Sequence, residues 1–479
     1  MIRVLWGFFG TGYPKTIVYM LQSTEYHPWP YLKWYWRTNN FSMVAKRRTL
    51  DKTSIAKLLL AFMHVGIGLQ VLVGAALLWQ GISDDNISTT AFGLAILISY
   101  PIVWAHLVVL PTMLGQITII QRRNKQLAAA AQRIFADHPG TVIAIAGSYG
   151  KTSMKELLLT VMGEGKKVAA TPANKNVITE HAKFARTLSG DEDIIIVEYG
   201  EEKPGYIMQF ARVTQPDVGV ITGVTPAHLD NYKTVEKAGQ DIFMLAGYLK
   251  DKNVYVNGES PDARPFIKPE HIVYDENGAL GWQVKHVLVS IEGVGFTMTK
   301  GKQTLQIKSN LIGRHQISSL ALAAALAAKL GLSKHQIESA IAKTVPFEHR
   351  MQPYNLHGAW VIDDTYNGNI EGMKAGLRLL KELSFKRKIY VTPGLVDQGE
   401  ETKRVHIELG KAIAQAAPNR IVLMENSVTK YIQSGLKQAD YKGEVIIEDD
   451  PLTFYTNLDQ FLAAGDLVLM QNDWTDNYN

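Results

Sequence analysis

The sequence predicts an α/β protein: a central P-loop domain on a parallel sheet, a C-terminal Rossmann-like domain, and two transmembrane helices ahead of both. Three observations predict this. From Thr141 onward, short β-branched runs alternate with helical stretches, as in a parallel sheet covered on both faces. The first run, Thr141 to Ala146, ends in Gly147-Ser-Tyr-Gly-Lys-Thr-Ser153 and then opens a helix. Ahead of it, Leu58 to Trp79 and Ala91 to Leu114 are almost wholly apolar. Each is long enough to cross a hydrocarbon core, which takes about 20 helical residues.

The length of 479 residues suits about three domains. A net charge of +5 is small for this length and its basic residues are dispersed, so nucleic acid is not an expected partner. The chain has no cysteine, which excludes disulfides, thiolate metal sites and a cysteine nucleophile, and fits a reducing compartment.

Residues 1–54 are rich in aromatic and basic side chains, among them Trp29, Tyr31, Trp34, Tyr35, Trp36, Lys46, Arg47 and Arg48. That mixture suits the headgroup boundary of a membrane, with membrane lipid as a partner; the other reading is a small soluble subdomain with a basic surface. Residues 55–115 hold the two apolar runs. The stretch between them, Gly81 to Thr89, carries no Lys or Arg, whereas Lys46, Arg47, Arg48, Lys52 and Lys57 precede the pair and Arg122, Arg123 and Lys125 follow it. The positive-inside rule then draws a hairpin in the cell membrane with both ends, and the domains that follow, in the cytoplasm. The alternative is a pair of buried core helices. His64 and His106 fit packing or interhelical hydrogen bonds better than a functional intramembrane role. Residues 116–140 read as an amphipathic linker helix ended by Asp137-His-Pro-Gly140.

Residues 141–345 form the expected ATP-binding domain. Glycines at 147 and 150 let backbone N–H groups approach a phosphate, and the following helix adds its N-terminal dipole. In this loop Gly147, Ser148, Gly150, Lys151, Thr152 and Ser153 are the candidate nucleotide contacts. Lys151 supplies a point charge for the β/γ-phosphates, and the Thr152 hydroxyl can ligate Mg²⁺. The first glycine of the longer phosphate-loop pattern is replaced by Ile145. Glu198 follows Ile194-Ile-Ile-Val197, and His228 follows Val218-Gly-Val-Ile-Thr222 after a brief loop. Strand ends deliver both to the sheet edge that carries Thr152, where they could complete a Mg²⁺ site directly or through water.

Lys252 to Gln306 is polar and strand-rich, with turn signals at Asn257-Gly258 and Lys300-Gly301, and reads as an antiparallel excursion. Gly313-Arg-His-Gln316 leads into an alanine-rich helix, Leu320 to Leu330. Residues 346–479 form the second unit, with strands at Trp360 to Asp363, Lys388 to Thr392, Arg420 to Met424, Glu444 to Ile447 and Asp466 to Met470. Helices are expected at Ile370 to Leu383, Val405 to Ala416 and Pro451 to Ala463. This unit has no G-x-G-x-x-G loop, so no dinucleotide is expected.

Taken in order, these motifs resemble the Mur ligases, the ATP-dependent ligases of peptidoglycan precursor assembly, over roughly residues 141–464. Gly147 to Ser153 looks like the family's short phosphate loop, and Thr171-Pro-Ala-Asn-Lys-Asn176 is similar to the Asn-rich segment after it. Glu198-Tyr-Gly200 resembles the Glu-Leu-Gly magnesium motif, and His228-Leu-Asp230 the His-Leu motif. Arg350 stands where the family has a Gly-Arg hinge. Asp363-Asp-Thr-Tyr-Asn-Gly-Asn369 is close to the Asp-Asp-Ser-Tyr-Asn-Ala-Asn of the branch that adds D-alanyl-D-alanine.

The resemblance implies amide formation through an acyl phosphate, with ATP and Mg²⁺ as cofactors. The partners it implies are a peptide or muropeptide-like acceptor and an incoming amino acid or dipeptide. It implies that Lys151, His228 and Arg350 serve catalysis and that Thr152, Glu198 and His228 hold metal. Asp364 looks like the residue that fixes the ATP ribose. Asn174, Asn176, Tyr366, Asn367 and Asn369 fall on the substrate side. The family's adenine-contacting asparagines are here Gln316 and Ser319, its carbamylated lysine aligns with Gly239 or with a gap, near Lys237, and its C-terminal Lys-Gly-Ser-Arg is Gln471-Asn-Asp-Trp474. A membrane hairpin stands where the family has a UDP-sugar-binding domain. Read without the resemblance, the motifs also allow a membrane P-loop ATPase that couples hydrolysis to conformational change or transport, or an inactive nucleotide-binding scaffold. Oligomeric state is left open.

Overall fold

A computed structural model describes residues 7–24, 26–37, 50–115, 118, 121–173, 175–201, 203–226, 229–366, 368–396 and 398–472. The chain divides into two compact units, Met1–Gln126 and Leu127–Asn479.

The first unit is helical: α1 (Tyr13–Ser23), α2 (Pro28–Arg37), α3 (Ser54–Ser83) and α4 (Ile87–Leu107). Each long helix begins at a side-chain cap, Thr53 accepting from the Ala56 N–H and Asn86 from the Thr89 N–H. The pair packs through glycines. A Cβ at Gly66 would run into the Trp104 ring, at Gly74 into Leu97, at Gly81 into Thr90 and at Gly93 into the Leu78 backbone. Small residues of this kind let helix backbones approach closely. The outward faces are large and apolar, with Leu58, Leu72 and Trp79 each more than two-thirds exposed. Only 22% of the most apolar stretch of α3, and 28% of that in Ile87–Gly115, is buried, so neither is a core helix of this chain.

The interhelical polar contact falls on Gln70 rather than on either histidine. Its Nε2 donates to the Ile96 carbonyl at 2.9 Å, and its Oε1 accepts from Trp104 Nε1 at 2.7 Å. His64 and His106 bond carbonyls of their own helices, Leu60 and Ile102, and His106 also packs against Tyr35 and Trp36.

The second unit opens with α5 (Gln121–Asp137), which crosses the boundary between the units. Six parallel strands follow: β1 (Thr141–Ala146), β2 (Val168–Ala170), β3 (Ile194–Glu198), β4 (Val218–Ile221), β5 (Val254–Asn257) and β6 (Ile272–Tyr274). Their order is β2-β3-β1-β4-β5-β6. Alternation splits β1 cleanly. Ile143 and Ile145 pack with α6 (Lys151–Met162) on one face, while Val142 and Ala144 pack on the other with Ala131 and Phe135 of α5 and Phe210 of α7 (Tyr206–Thr214). The chain leaves β1 toward β3 on one side and returns to β4 on the other. The crevice at the carboxyl ends of these three strands is the topological switch point.

The expected antiparallel excursion begins later than Lys252. Val254–Asn257, fully buried, and Ile272–Tyr274, with only Tyr274 buried, are short runs that extend the parallel sheet. Only β7 (Gly278–Ala279), β8 (Trp282–Ser290), β9 (Gly293–Lys300) and β10 (Gln303–Ser309) form a separate antiparallel sheet. The alanine-rich α8 (Gln316–Lys329) lies between the two sheets, its Ala side chains buried among residues of both.

The third sheet has order β11-β12-β16-β13-β14-β15, from β11 (Gln352–Leu356), β12 (Ala359–Asp364), β13 (Arg387–Thr392), β14 (Arg420–Met424), β15 (Glu444–Glu448) and β16 (Asp466–Gln471). All pairs are parallel except β11 with β12. Helices α9 (Ile370–Glu382) and α10 (Thr402–Ala416) cover one face. The helix expected over Pro451 to Ala463 is two short helices, parted at Asn457.

Candidate active site

The loop from β1 to α6 turns on two glycines, Gly147 at φ 146° and Gly150 at φ 73°. The second is a left-handed conformation that glycine adopts without a Cβ penalty. A Cβ at Gly147 would collide with Thr222 Oγ1, and one at Gly223 with the Tyr149 ring. The loop is thus pressed onto the end of β4, where the Ser148 N–H donates to the Gly223 carbonyl at 2.9 Å. No side chain caps the start of α6, the arrangement that suits anion binding at a helix N-terminus. Lys151 Nζ turns back to the Gly147 carbonyl at 2.5 Å and meets Glu201 Oε2 at 2.5 Å.

Glu198, at the end of β3, is almost fully buried. Thr152 Oγ1 donates to its Oε1 at 3.0 Å, and Asn176 Nδ2 lies 3.4 Å from the same oxygen. Its Oε2 accepts no hydrogen bond and has Lys155 Nζ at 3.3 Å. The Lys155 ammonium also donates to the Ala173 carbonyl. Behind the carboxylate, His181 Nε2 lies 2.8 Å from the Glu198 carbonyl, so that nitrogen carries the proton. Burial lowers the His181 pKa to about 4 and keeps the ring neutral. A buried carboxylate oxygen that accepts no hydrogen bond, beside a threonine hydroxyl at a phosphate loop, fits a hard divalent cation. Ser148 Oγ in the same loop is also buried without a partner.

Across the cleft, Asp364 ends β12 in register with Gln471 at the end of β16. Its carboxylate accepts from Gln471 Nε2 at 2.8 Å and from the Met351 N–H at 3.2 Å. Burial nonetheless pushes its pKa up to about 6. Arg350 stacks on Tyr366, its Cζ 4.5 Å from the ring centroid. It lies between two left-handed residues, His349 at φ 59° and Met351 at φ 45°. Non-glycine residues in that region are strained and mark special positions such as turns and hinges. Here His349 stands where the resemblance expects glycine.

The phosphate-loop side chains, Glu198, Glu201, Arg350, Asp364 and Tyr366 meet at one cleft of about 730 Å³, with Lys155, His181 and Gln471 outside its lining. Its walls include Ser148, Gly150, Lys151, Thr152, Ser153, Asn176, Glu198, Gln316, Arg350, Asp364, Tyr366 and Asn369. Gly147 lies beneath the loop, and Asn369 also caps α9 by accepting from the Gly372 N–H. Gln316 places its amide 3.0 Å from His315 Nε2. His228, Asn174 and Asn367 lie outside the described residues. Gly239 is pressed against the Phe266 ring, and Lys237 is exposed and does not line the cleft. Among the described residues there is no group of three His, Cys, Asp or Glu that could hold a metal; the donors near Glu198 include a hydroxyl.

Sequence reasoning missed Lys155 and Glu201. A signal existed for each. Lys155 falls on the buried face of α6 with Met154 and Leu158, an odd place for an unpaired lysine. Glu201 follows Glu198 by three residues on the same strand end.

The Mur ligase middle domain model matches residues 145–327, and the model for the Mur ligase, glutamate ligase domain matches 349–471. The UDP-N-acetylmuramoyl-tripeptide--D-alanyl-D-alanine ligase of Buchnera aphidicola subsp. Acyrthosiphon pisum is 25% identical over 354 residues, 70% of this chain and 77% of that protein. The ligase of the same name from Mycobacterium leprae is 26% identical over 364 residues, 69% of this chain and 70% of that one. The fold is shared with the MurF ligase of Thermotoga maritima, solved in complex with ADP: TM-score 0.64 at 22% identity, over 73% of this chain and 80% of that one. Matched by both family models over most of its length from Ile145 to Gln471, the chain belongs to the Mur ligase family of ATP-dependent, Mg²⁺-using, amide-forming ligases.

Proposed function

We propose that this chain is a membrane-anchored Mur-type ligase that joins an amino acid or dipeptide to a carboxylate of a cell-wall precursor at the cytoplasmic face. The observation that carries this reading is the facing of Lys151, Thr152 and Glu198 from the central domain toward Arg350 and Asp364 from the C-terminal one, across a single cleft. A site split in this way suits positioning and charge neutralisation, which is most of what phosphoryl transfer asks of a protein.

The acceptor carboxylate oxygen bonds to the γ-phosphorus as the bond to the β–γ bridging oxygen breaks, and ADP leaves. The amine then bonds to the acyl carbon, phosphate departs, and the amine loses a proton. In this scheme Lys151 and Arg350 offset charge on the transferring phosphoryl group. Thr152 and Glu198, with His228, hold Mg²⁺, which supplies Lewis-acid polarisation when bound. Asp364 accepts from the ribose hydroxyls. Asn176, Tyr366 and Asn369 line the cleft and, with Asn174 and Asn367, are assigned to the acceptor and the amine. The acyl phosphate is hydrolysable, so a cleft closed by the C-terminal domain also protects it from water.

Relatives named for D-alanyl-D-alanine addition favour a dipeptide as the incoming amine and a muramoyl peptide as the acceptor. The decisive assay supplies ATP, candidate muramoyl peptides, both UDP-linked and lipid-linked, and D-alanyl-D-alanine. A mass gain in the acceptor, matched by ADP and phosphate, is expected. ATP hydrolysis that ignores both substrates would instead favour the coupled-ATPase reading.

The anchor rests on apolar outward faces of α3 and α4 and on the absence of Lys and Arg between them. Because the chain has no cysteine, single cysteines report topology without background. A cysteine at Asp84 should react with an impermeant maleimide from outside intact cells, and one at Ser189 should not. Equal labelling of both in intact cells refutes the hairpin.

A further inference from the structure

We propose that Glu201 is a divalent-cation ligand of this site, held by Lys151 until a nucleotide takes that lysine. Its carboxylate and the Lys151 ammonium are 2.5 Å apart, with 6% and 11% of the side chains exposed. The pair lines the cleft at the phosphate loop. Lys151 also donates back to Gly147 of its own loop. Its ammonium is therefore engaged by the loop carbonyl and by Glu201 at the cleft wall.

A polyphosphate that binds this loop draws Lys151 to itself. Glu201 then faces the phosphates as a nearly buried like charge, and in a water-poor site such charges repel strongly unless a cation stands between them. The proposed cation position, at Thr152 and Glu198, lines the same cleft. Glu198 and Glu201 leave the same strand end three residues apart, and Glu198 Oε2, buried with Lys155 Nζ 3.3 Å away, accepts no hydrogen bond. Carboxylate oxygens are the donors Mg²⁺ takes, and exchange from an ammonium to a metal keeps Glu201 neutralised throughout. The exchange also makes the cation and the nucleotide interdependent, because each removes the obstacle to the other.

This inference rests on the nucleotide assignment of the cleft. It is tested on the full-length protein in detergent micelles by measuring ADP affinity with magnesium and with EDTA, for the wild type and for Glu201→Gln. In EDTA, Glu201→Gln is expected to bind ADP more tightly than the wild type, because Lys151 is released. The gain from magnesium should shrink by about tenfold or more in the variant, the scale on which metal-site carboxylates act. An equal magnesium gain in both proteins overturns the proposal, whatever the absolute affinities do. If Glu201→Gln fails to fold, Glu201→Ala is read in the same way. A wild type that binds no ADP in either condition overturns the nucleotide assignment itself, and this inference with it.

Discussion

Lys155 Nζ lies 3.3 Å from Glu198 Oε2, with 0% and 2% of their side chains exposed, so the carboxylate at the end of β3 has a buried cation behind it. The lysine also reaches the Ala173 carbonyl and so ties β3 to the segment before Asn176. Removing one member of such a pair leaves an uncompensated buried charge, at a typical cost of about 3–5 kcal/mol. Lys155→Met is expected to lose stability on that scale in urea denaturation. Lys155→Met with Glu198→Gln should recover part of it, since no lone charge remains. A double variant as unstable as the sum of the two singles would show that the pair is not coupled.

Lys151 is the cation placed at the loop, beside Gly147 and Glu201. Lys151→Ala should reduce ATP turnover about a hundredfold or more, the scale of losing a group that stabilises developing charge. Circular dichroism should still show the folded secondary structure, since Lys151 belongs to no hydrophobic cluster, although the nearly buried Glu201 loses this partner. Full ligation by the variant would mean that another loop holds the phosphates.

Asp364 gives a pH dependence with two signs. Burial raises its pKa from 3.8 to about 6. The folded state therefore holds the proton more tightly than the unfolded chain. The stabilisation from this group is complete below about pH 4 and is lost as pH rises through about 6. Ribose binding runs the other way, since the ionised carboxylate is the better acceptor. ADP affinity should rise between about pH 5 and 7, and Asp364→Asn should flatten that rise. An unchanged slope in the variant would remove Asp364 from the ribose.

Much of this was legible in the chain. Thr141 to Ala146 running into Gly147 and Gly150 fixes a strand, loop and helix, and the strand ends at Glu198 and Asp364 fall where nucleotides bind in open α/β sheets. What stayed hidden was pairing across distance. Nothing local says that Gln471 will lie beside Asp364, because that depends on β16 inserting between β12 and β13. Nothing local pairs Lys151 with Glu201 or Lys155 with Glu198, since those partners are joined only once β3 lies against β1. Val254–Asn257 and Ile272–Tyr274 misled for a different reason. A three- or four-residue run carries too little periodicity to separate a buried parallel strand from an antiparallel one.

His181 and His315 should make the protein acid-sensitive. Burial holds each near pKa 4, below the ordinary 6.5. The unfolded chain takes up these protons first, so the contribution is complete above about pH 6.5 and is lost as pH falls toward 4. At about 1.4 kcal/mol per unit of pKa, each ring contributes about 3 kcal/mol over that window. The urea midpoint should fall steeply between pH 6.5 and 4, and His181→Asn should reduce the slope by about half. A midpoint flat across this range would mean that neither ring is kept neutral.

The C-terminal part of α5 belongs to the compact unit Leu127–Asn479. Its Ala131 and Phe135 pack against Val142, Ala144 and Phe210 on one face of the first sheet. A fragment of residues 127–479 keeps the part of that helix that carries Ala131 and Phe135; a fragment of residues 141–479 loses all of it. Losing the buried Phe135 alone is comparable to a Phe→Ala change in a core, about 3–5 kcal/mol, and the cut also uncovers apolar strand face. The longer fragment is expected to be soluble without detergent and to bind ADP. The shorter one should melt at least about 10 °C lower or aggregate, given that about 1 kcal/mol moves a large domain by about 2–4 °C. Equal melting temperatures would show that α5 is a tether, with its packing on the sheet incidental to the fold.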